Sequence, residues 1–274
     1  MIKQCLNMIR ETSMRGVQTV AVIGGHSYGR PYSNLSDVDL LCLCSDTPTK
    51  ILDSLCGLSA AATNGASDPD TMIVSEFRLG PFRPRFNPTR TMIQLHWLVF
   101  EMGEWDQTPL HWRLQCGGDH GVLIGQRLEP PKIASVEDIR KSILTGPDSL
   151  ARAKAQLVEM CYTTSEYVQE HGRWVRRRTK YAFTDKEDQL TFLYSVINSA
   201  IRQYALLQKY LGRADVSVIP FRCVLPDTVR SRVLACQNAY FRYARIGELP
   251  EEMPMLIREG IAAIDEIIGL AKQG

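Results

Sequence analysis

Apolar residues along the chain recur in two rhythms. In residues 2–14 they fall at helical spacing, with Ile2, Leu6 and Ile9 on one side. Residues 20–23 and 40–44 are short continuous apolar runs, as in buried strands, and 71–77 and 90–100 are β-rich runs. Between them, 47–58 reads as a helix entered through Asp46-Thr47-Pro48, where proline suits the first turn. Residues 59–70 are small and polar, hence a loop, and 80–88 is too proline-rich for a regular element. The expected order is helix, strand, strand, helix and hairpin, then a short helix at 107–114 and a last strand at 121–125. From Ser135 onward the spacing is helical, over 135–144, 146 to about 172, 186–211, 226–243 and 253–271. Val216 to Val218 is the one further strand candidate there. These patterns predict an α+β protein: a small mixed sheet with flanking helices in residues 1–132, and a helical bundle in 133–274.

Composition changes this picture little. The 274 residues are 45% apolar and 23% charged, ordinary for a globular protein. No apolar run approaches the roughly 20 residues of a membrane span, so no membrane partner is expected. Eight cysteines are scattered with no Cys-x-x-Cys pair, which argues against structural zinc and for a reduced, cytoplasmic setting. The net charge of +2 is divided unevenly. Residues 1–140 hold 13 Lys and Arg against 15 Asp and Glu, and residues 141–274 hold 19 against 15.

Chemistry concentrates in residues 20–44. The first apolar run ends at Gly24-Gly25, a polar loop follows, and Asp37-Val38-Asp39 opens the second run. Residues two apart in a strand face the same side, so Asp37 and Asp39 project together. Paired carboxylates repel unless a cation lies between them. A Gly/Ser turn beside such a cation suits a nucleoside triphosphate, because backbone N–H groups there can meet phosphate oxygens.

Ser27-Tyr28-Gly29-Arg30 followed by Ser36-Asp37-Val38-Asp39 resembles the signature of the nucleotidyltransferase superfamily that includes DNA polymerase β. The small-molecule branch, which holds the antibiotic nucleotidyltransferases, is the most similar. His26 departs from the pattern by standing where a glycine precedes the motif serine, and Gly25 lies one position earlier. The resemblance implies a nucleotidyltransferase sheet with a helical second domain. It also implies transfer of a nucleoside monophosphate, AMP from ATP, to a hydroxyl of a small molecule. Asp37 and Asp39 would hold Mg²⁺, and Gly25, Ser27, Arg30 and Ser36 would contact the nucleotide.

The family's third carboxylate is expected in the run Met92-Ile93-Gln94-Leu95-His96-Trp97. Gln94 and His96 share one face there, with Ile93, Leu95 and Trp97 on the other. Gln94 stands at the expected position, and an imidazole beside it would favour Mn²⁺ over Mg²⁺. Glu76 and Glu101 are the other candidates. Some relatives use a glutamate on the first long helix of the second domain as general base, and Glu159 and Glu166, seven apart, would share a helical face. They read equally as solvated helix carboxylates. The run from Arg173 to Lys180 is the one basic cluster, fit for RNA phosphates or the triphosphate tail, or simply solvated. A second functional class therefore stays open: a degraded catalytic scaffold that binds nucleotide or RNA.

Overall fold

The computed structural model describes residues 2–23, 38–45, 47–65, 71–78, 91–116, 121–129, 131–132, 135–212 and 225–273. The first half runs α1 (Ile2–Glu11), β1 (Val17–Ile23), β2 (Val38–Cys44), α2 (Thr49–Asn64), β3 (Thr71–Glu76), β4 (Thr91–Glu101), α3 (Met102–Trp105), α4 (Leu110–Cys116) and β5 (Val122–Gly125). The second runs α5 (Val136–Thr145), α6 (Leu150–Glu159), β6 (Cys161–Glu170), β7 (Arg173–Ala182), α7 (Lys186–Tyr210), α8 (Asp227–Ile246) and α9 (Met253–Gln273). The protein is α+β, as the patterning predicts. No described helix is long and apolar enough to cross a membrane.

The strands β3-β4-β2-β1-β5 form one mixed sheet in that order. Strand β2 lies at its centre, antiparallel to β1 and parallel to β4. Every residue of β2 is buried except Asp39, which is half-buried. One face of the sheet presents Val38, Leu40, Cys42, Leu95 and Trp97 to a core shared with α1 and α2. The other presents Leu41, Leu43, Leu98 and Phe100 to a smaller cluster closed by Trp105 and Cys116. The expected division of β4 into two faces is therefore the one observed.

Three elements differ from expectation. Strands β3 and β4 run parallel, not as a hairpin. Helix α2 continues through residues expected to be loop. Ser59 and Thr63 donate to the carbonyls of Leu55 (3.4 Å) and Ser59 (2.9 Å), so their hydroxyls are satisfied within the helix. Most consequential, 146–172 is not one helix. Helix α6 stops at Glu159, and Met160 turns through the left-handed region (φ 45°). The chain then forms an antiparallel hairpin, β6–β7, paired from Cys161↔Ala182 to Glu170↔Arg173. Its two-residue turn, His171-Gly172, has positive φ at both positions (50° and 75°), the turn geometry that matches strand twist. The strand candidate Val216 to Val218 lies outside the described residues.

In the second half α7 is buried on all sides and forms the axis of the bundle. Its buried polar residues are partnered: Gln237 donates to Asn198 (2.8 Å), and Gln203 to the Asp148 carbonyl (3.0 Å). The two halves exchange side chains across the expected boundary at 132/133. Leu114 belongs to the bundle core and Tyr167 to the sheet core.

His111 on α4 is fully buried, and its Nδ1 lies 2.8 Å from Ser142 Oγ on α5. Burial pushes its pKa from 6.5 down to about 4, with the bond to Ser142 acting weakly the other way. The unfolded chain therefore binds this proton at a higher pH than the folded one, so stability is lost on acidification between those values. At full effect the loss is of the order of 3 kcal/mol. Glu166 is held below its ordinary value and adds to the loss only at lower pH, whereas burial raises Asp148, which works the other way as the pH falls. Urea unfolding from pH 7.5 to 5 should show stability falling less steeply in His111→Gln than in the wild type. Equal slopes in the two would refute the assignment.

Candidate active site

The register of three parallel strands sets one polar row across the sheet. Asp39 on β2 is opposite His96 on β4, and His96 is opposite Glu76 on β3. Paired residues in adjacent strands face the same side, so the three project together beyond the cluster of Leu41, Leu43 and Leu98. His96 is buried (5% exposed), whereas the Asp39 and Glu76 side chains keep about a quarter of their surface. His96 Nδ1 lies 2.9 Å from Asp39 Oδ1, and Nε2 lies 2.7 Å from the carbonyl oxygen of Arg78. Each ring nitrogen thus has an oxygen partner, and the imidazole is held between the Asp39 carboxylate and the Arg78 backbone.

Arg78, just past the end of β3, joins this row to the hairpin. Tyr167 N–H donates to the Phe77 carbonyl (2.8 Å), and Arg78 forms a β-bridge with Glu166 on β6. The Arg78 side chain is 7% exposed. Its Nη2 donates to Glu76 (3.3 Å), its Nε lies 3.9 Å from Glu166 Oε2, and its guanidinium lies over the Tyr181 ring at 4.8 Å. Glu166 accepts from Thr179 (2.5 Å), Tyr181 (2.6 Å) and Arg177 (3.3 Å). Burial raises the Glu166 pKa, but those three donors and the charge of Arg78 outweigh it and hold the carboxyl below its ordinary value. Tyr181 is pushed up to about 12, first by burial and then by its bond to Glu166. The hairpin is anchored to the first half at its far end too: Trp174 donates to Asp53 (2.7 Å) and meets Phe77 edge-on.

The residues expected to form the site are thus sorted. Asp39 and His96 come together. Asp37, Gly25, Ser27, Arg30 and Ser36, with His26, lie outside the described residues. Gln94 is on the same face of β4, two residues before His96, and the residue opposite Asp39 is His96. His96, not Gln94, takes the place next to that carboxylate, and with both nitrogens engaged it serves Asp39 rather than a metal. Glu101 pairs with Cys44 at the opposite end of β2 and is excluded by distance. Glu159 and Glu166 do not share a helical face. Glu159 is exposed at the end of α6, near Cys161 Sγ (3.2 Å) and Lys180 (3.9 Å), whereas Glu166 is buried in a strand. Its saturated, acid-shifted carboxyl is a poor proton acceptor. The basic cluster is β7, and much of its charge is matched within the protein: Arg176 by Glu104, Arg177 by Glu166 and Glu170, Lys180 by Glu159.

Sequence reasoning missed Arg78 and the hairpin that holds it. The signal was present in Tyr162-Thr163-Thr164 and Tyr167-Val168, β-branched and aromatic, followed by a His-Gly turn. Among the described residues no three His, Cys, Asp or Glu side chains are grouped to hold a metal ion. The donors available, Asp39 with one free oxygen and Glu76 in the same row, are hard oxygens of the kind Mg²⁺ takes. Comparison with known proteins returned no match, either to a family model or to a curated protein.

Removing the Glu166 charge should strand Arg78, Arg177 and two hydroxyls. Glu166→Gln is expected to cost about 2–4 kcal/mol in urea unfolding, the range for breaking a buried, hydrogen-bonded ion pair. Glu159→Gln should change stability by less than about 0.5 kcal/mol. Similar small effects in both would show that the Glu166 cluster does not anchor the hairpin.

Proposed function

We propose that this protein is a metal-dependent nucleotidyltransferase that moves AMP from ATP to a hydroxyl of a small molecule. The observation that carries the reading is Asp39, the one incompletely buried residue of the central strand, fixed by His96 at the start of the apolar run. It stands two residues after Asp37 and follows a Gly/Ser loop at the spacing triphosphate chemistry needs. Asp37 and Asp39 would hold Mg²⁺, which when bound neutralises triphosphate charge and favours departure of pyrophosphate. His96 orients Asp39. The acceptor oxygen attacks the α-phosphorus as the bond to pyrophosphate breaks, and the hydroxyl proton passes to Glu76. The products are the adenylylated acceptor and pyrophosphate. Glu76 takes the role in preference to Glu159 and Glu166 because it shares a row with Asp39 and keeps an open surface.

A second reading, nucleotide or RNA binding without catalysis, draws on one observation: His96 already occupies the place beside one Asp39 oxygen, at 2.9 Å. The extent to which β7 is neutralised by glutamates weakens the RNA form of it. Titration of ATP with and without Mg²⁺ separates the two. The catalytic reading expects metal-dependent binding that is lost in Asp37→Asn and Asp39→Asn with unfolding curves unchanged. It also expects turnover in Glu76→Gln reduced by about 10²–10⁴-fold at near-normal ATP affinity. ATP binding indifferent to metal in all these proteins would select the second reading.

A further inference from the structure

The Arg78 guanidinium is under-used. Its Nη1 and Nε are buried without a hydrogen-bond partner among the described residues, although Nη2 is bonded to Glu76. A buried cation with unmade hydrogen bonds is costly, and in a native protein such groups mark a missing water, ion or ligand. Glu166, the nearest further carboxylate, does not satisfy them. Its Oε2 is drawn to Tyr181 at 2.6 Å and its Oε1 to Thr179 and Arg177, leaving Oε2 3.9 Å from Arg78 Nε. The Tyr181 ring covers the guanidinium at 4.8 Å, which leaves its edge for an in-plane acceptor. Taken together, Glu76, Arg78, Glu166 and Arg177 sum to zero charge, so an added anion meets no excess of negative charge.

Position in the sheet shows which molecule that anion belongs to. In the order β3-β4-β2-β1-β5, Asp39 on β2 lies between β1, which leads into the Gly/Ser loop, and β4 with β3, which carry His96, Glu76 and Arg78. A nucleotide held from the β1 side leaves the β3 side to the acceptor. His96 spans the two, bonded to Asp39 through one ring nitrogen and to the Arg78 carbonyl through the other.

We propose that Arg78 is an oxyanion-binding site for the acceptor, so that the substrate class is a small hydroxyl compound that also carries a carboxylate or phosphate. The assignment of the anion to an acceptor rests on the nucleotidyltransferase reading; the anion site itself does not. A guanidinium recognises both groups through the same charge-assisted N–H···O bonds. A polycationic acceptor would meet this arginine unfavourably.

The test uses the full chain, first without nucleotide or metal. Inorganic phosphate and malonate are titrated at constant ionic strength by calorimetry and thermal unfolding. The proteins are the wild type, Arg78→Lys and Arg178→Gln, an exposed β7 arginine serving as control. We expect saturable binding of at least one anion to the wild type and to Arg178→Gln, weakened about 10–100-fold in Arg78→Lys. The tighter anion identifies the group as phosphate or carboxylate. No saturable binding of either anion to the wild type, or equal binding by Arg78→Lys, overturns the site. Should Arg78→Lys fail to fold, wild-type crystals grown with the tighter anion decide: an oxyanion on Nη1 or Nε supports the site, and water alone there overturns it. Displacement of the anion by metal-free ATP would make it the nucleotide's own and overturn the acceptor assignment. Metal-independent ATP binding in Asp39→Asn, with the phosphate or malonate site intact, would instead remove the catalytic reading and leave the anion site standing.

Discussion

A carboxylate inside a protein persists as a charge only if donors or cations surround it, and Glu166 has gathered its partners from two parts of the chain. Its donors Thr179, Tyr181 and Arg177 come from the neighbouring strand of its own hairpin, and the Arg78 guanidinium, an ion pair at 3.9 Å, from the end of a sheet strand in the other half. The contact is therefore also a joint. It seats the β6–β7 hairpin on the edge of the sheet at Phe77 and Arg78, and Trp174 pins the far end of the hairpin at Asp53. The helical second half is tied to the five-stranded sheet through this ribbon as well as by helix packing.

The same joint reaches the candidate active site through the backbone. The Arg78 carbonyl accepts from His96, and His96 holds Asp39, so the placement of one carboxylate in the central strand depends on where the hairpin sets residue 78. A sheet strand buried on both faces gives Asp39 little freedom, and the imidazole removes most of what remains. Such double support fixes the Asp39 carboxylate closely, as the proposed metal-holding role would require. His96 in turn is engaged by Asp39 and the Arg78 carbonyl.

Length and periodicity in the sequence were enough for the class of fold, the buried strands around residues 20–44, and the long helices of the second half. Those features are local: continuous apolar runs and three- or four-residue spacing are properties of one segment at a time. The stretch from residue 146 to 172 shows where that reasoning gives out. Tyr162, Ser165 to Val168 and their neighbours satisfy helical spacing and strand alternation about equally well. What selected the strand was its partner, β7, together with a turn whose two positive-φ residues close the hairpin.

The site divides in the same way. That Asp39 would open a buried strand could be read directly, because a continuous apolar run after it is a property of one segment. The rest of the row could not. His96 rather than Gln94 stands beside Asp39, Glu76 joins the row, Glu101 leaves it, and Glu166 moves from a helix face to the buried end of a hairpin. Each of these is a matter of register between strands distant in sequence, and a shift of one residue would turn every side chain to the opposite face. Local chemistry is written in the chain; which residues become neighbours is decided only when the sheet and the hairpin pair.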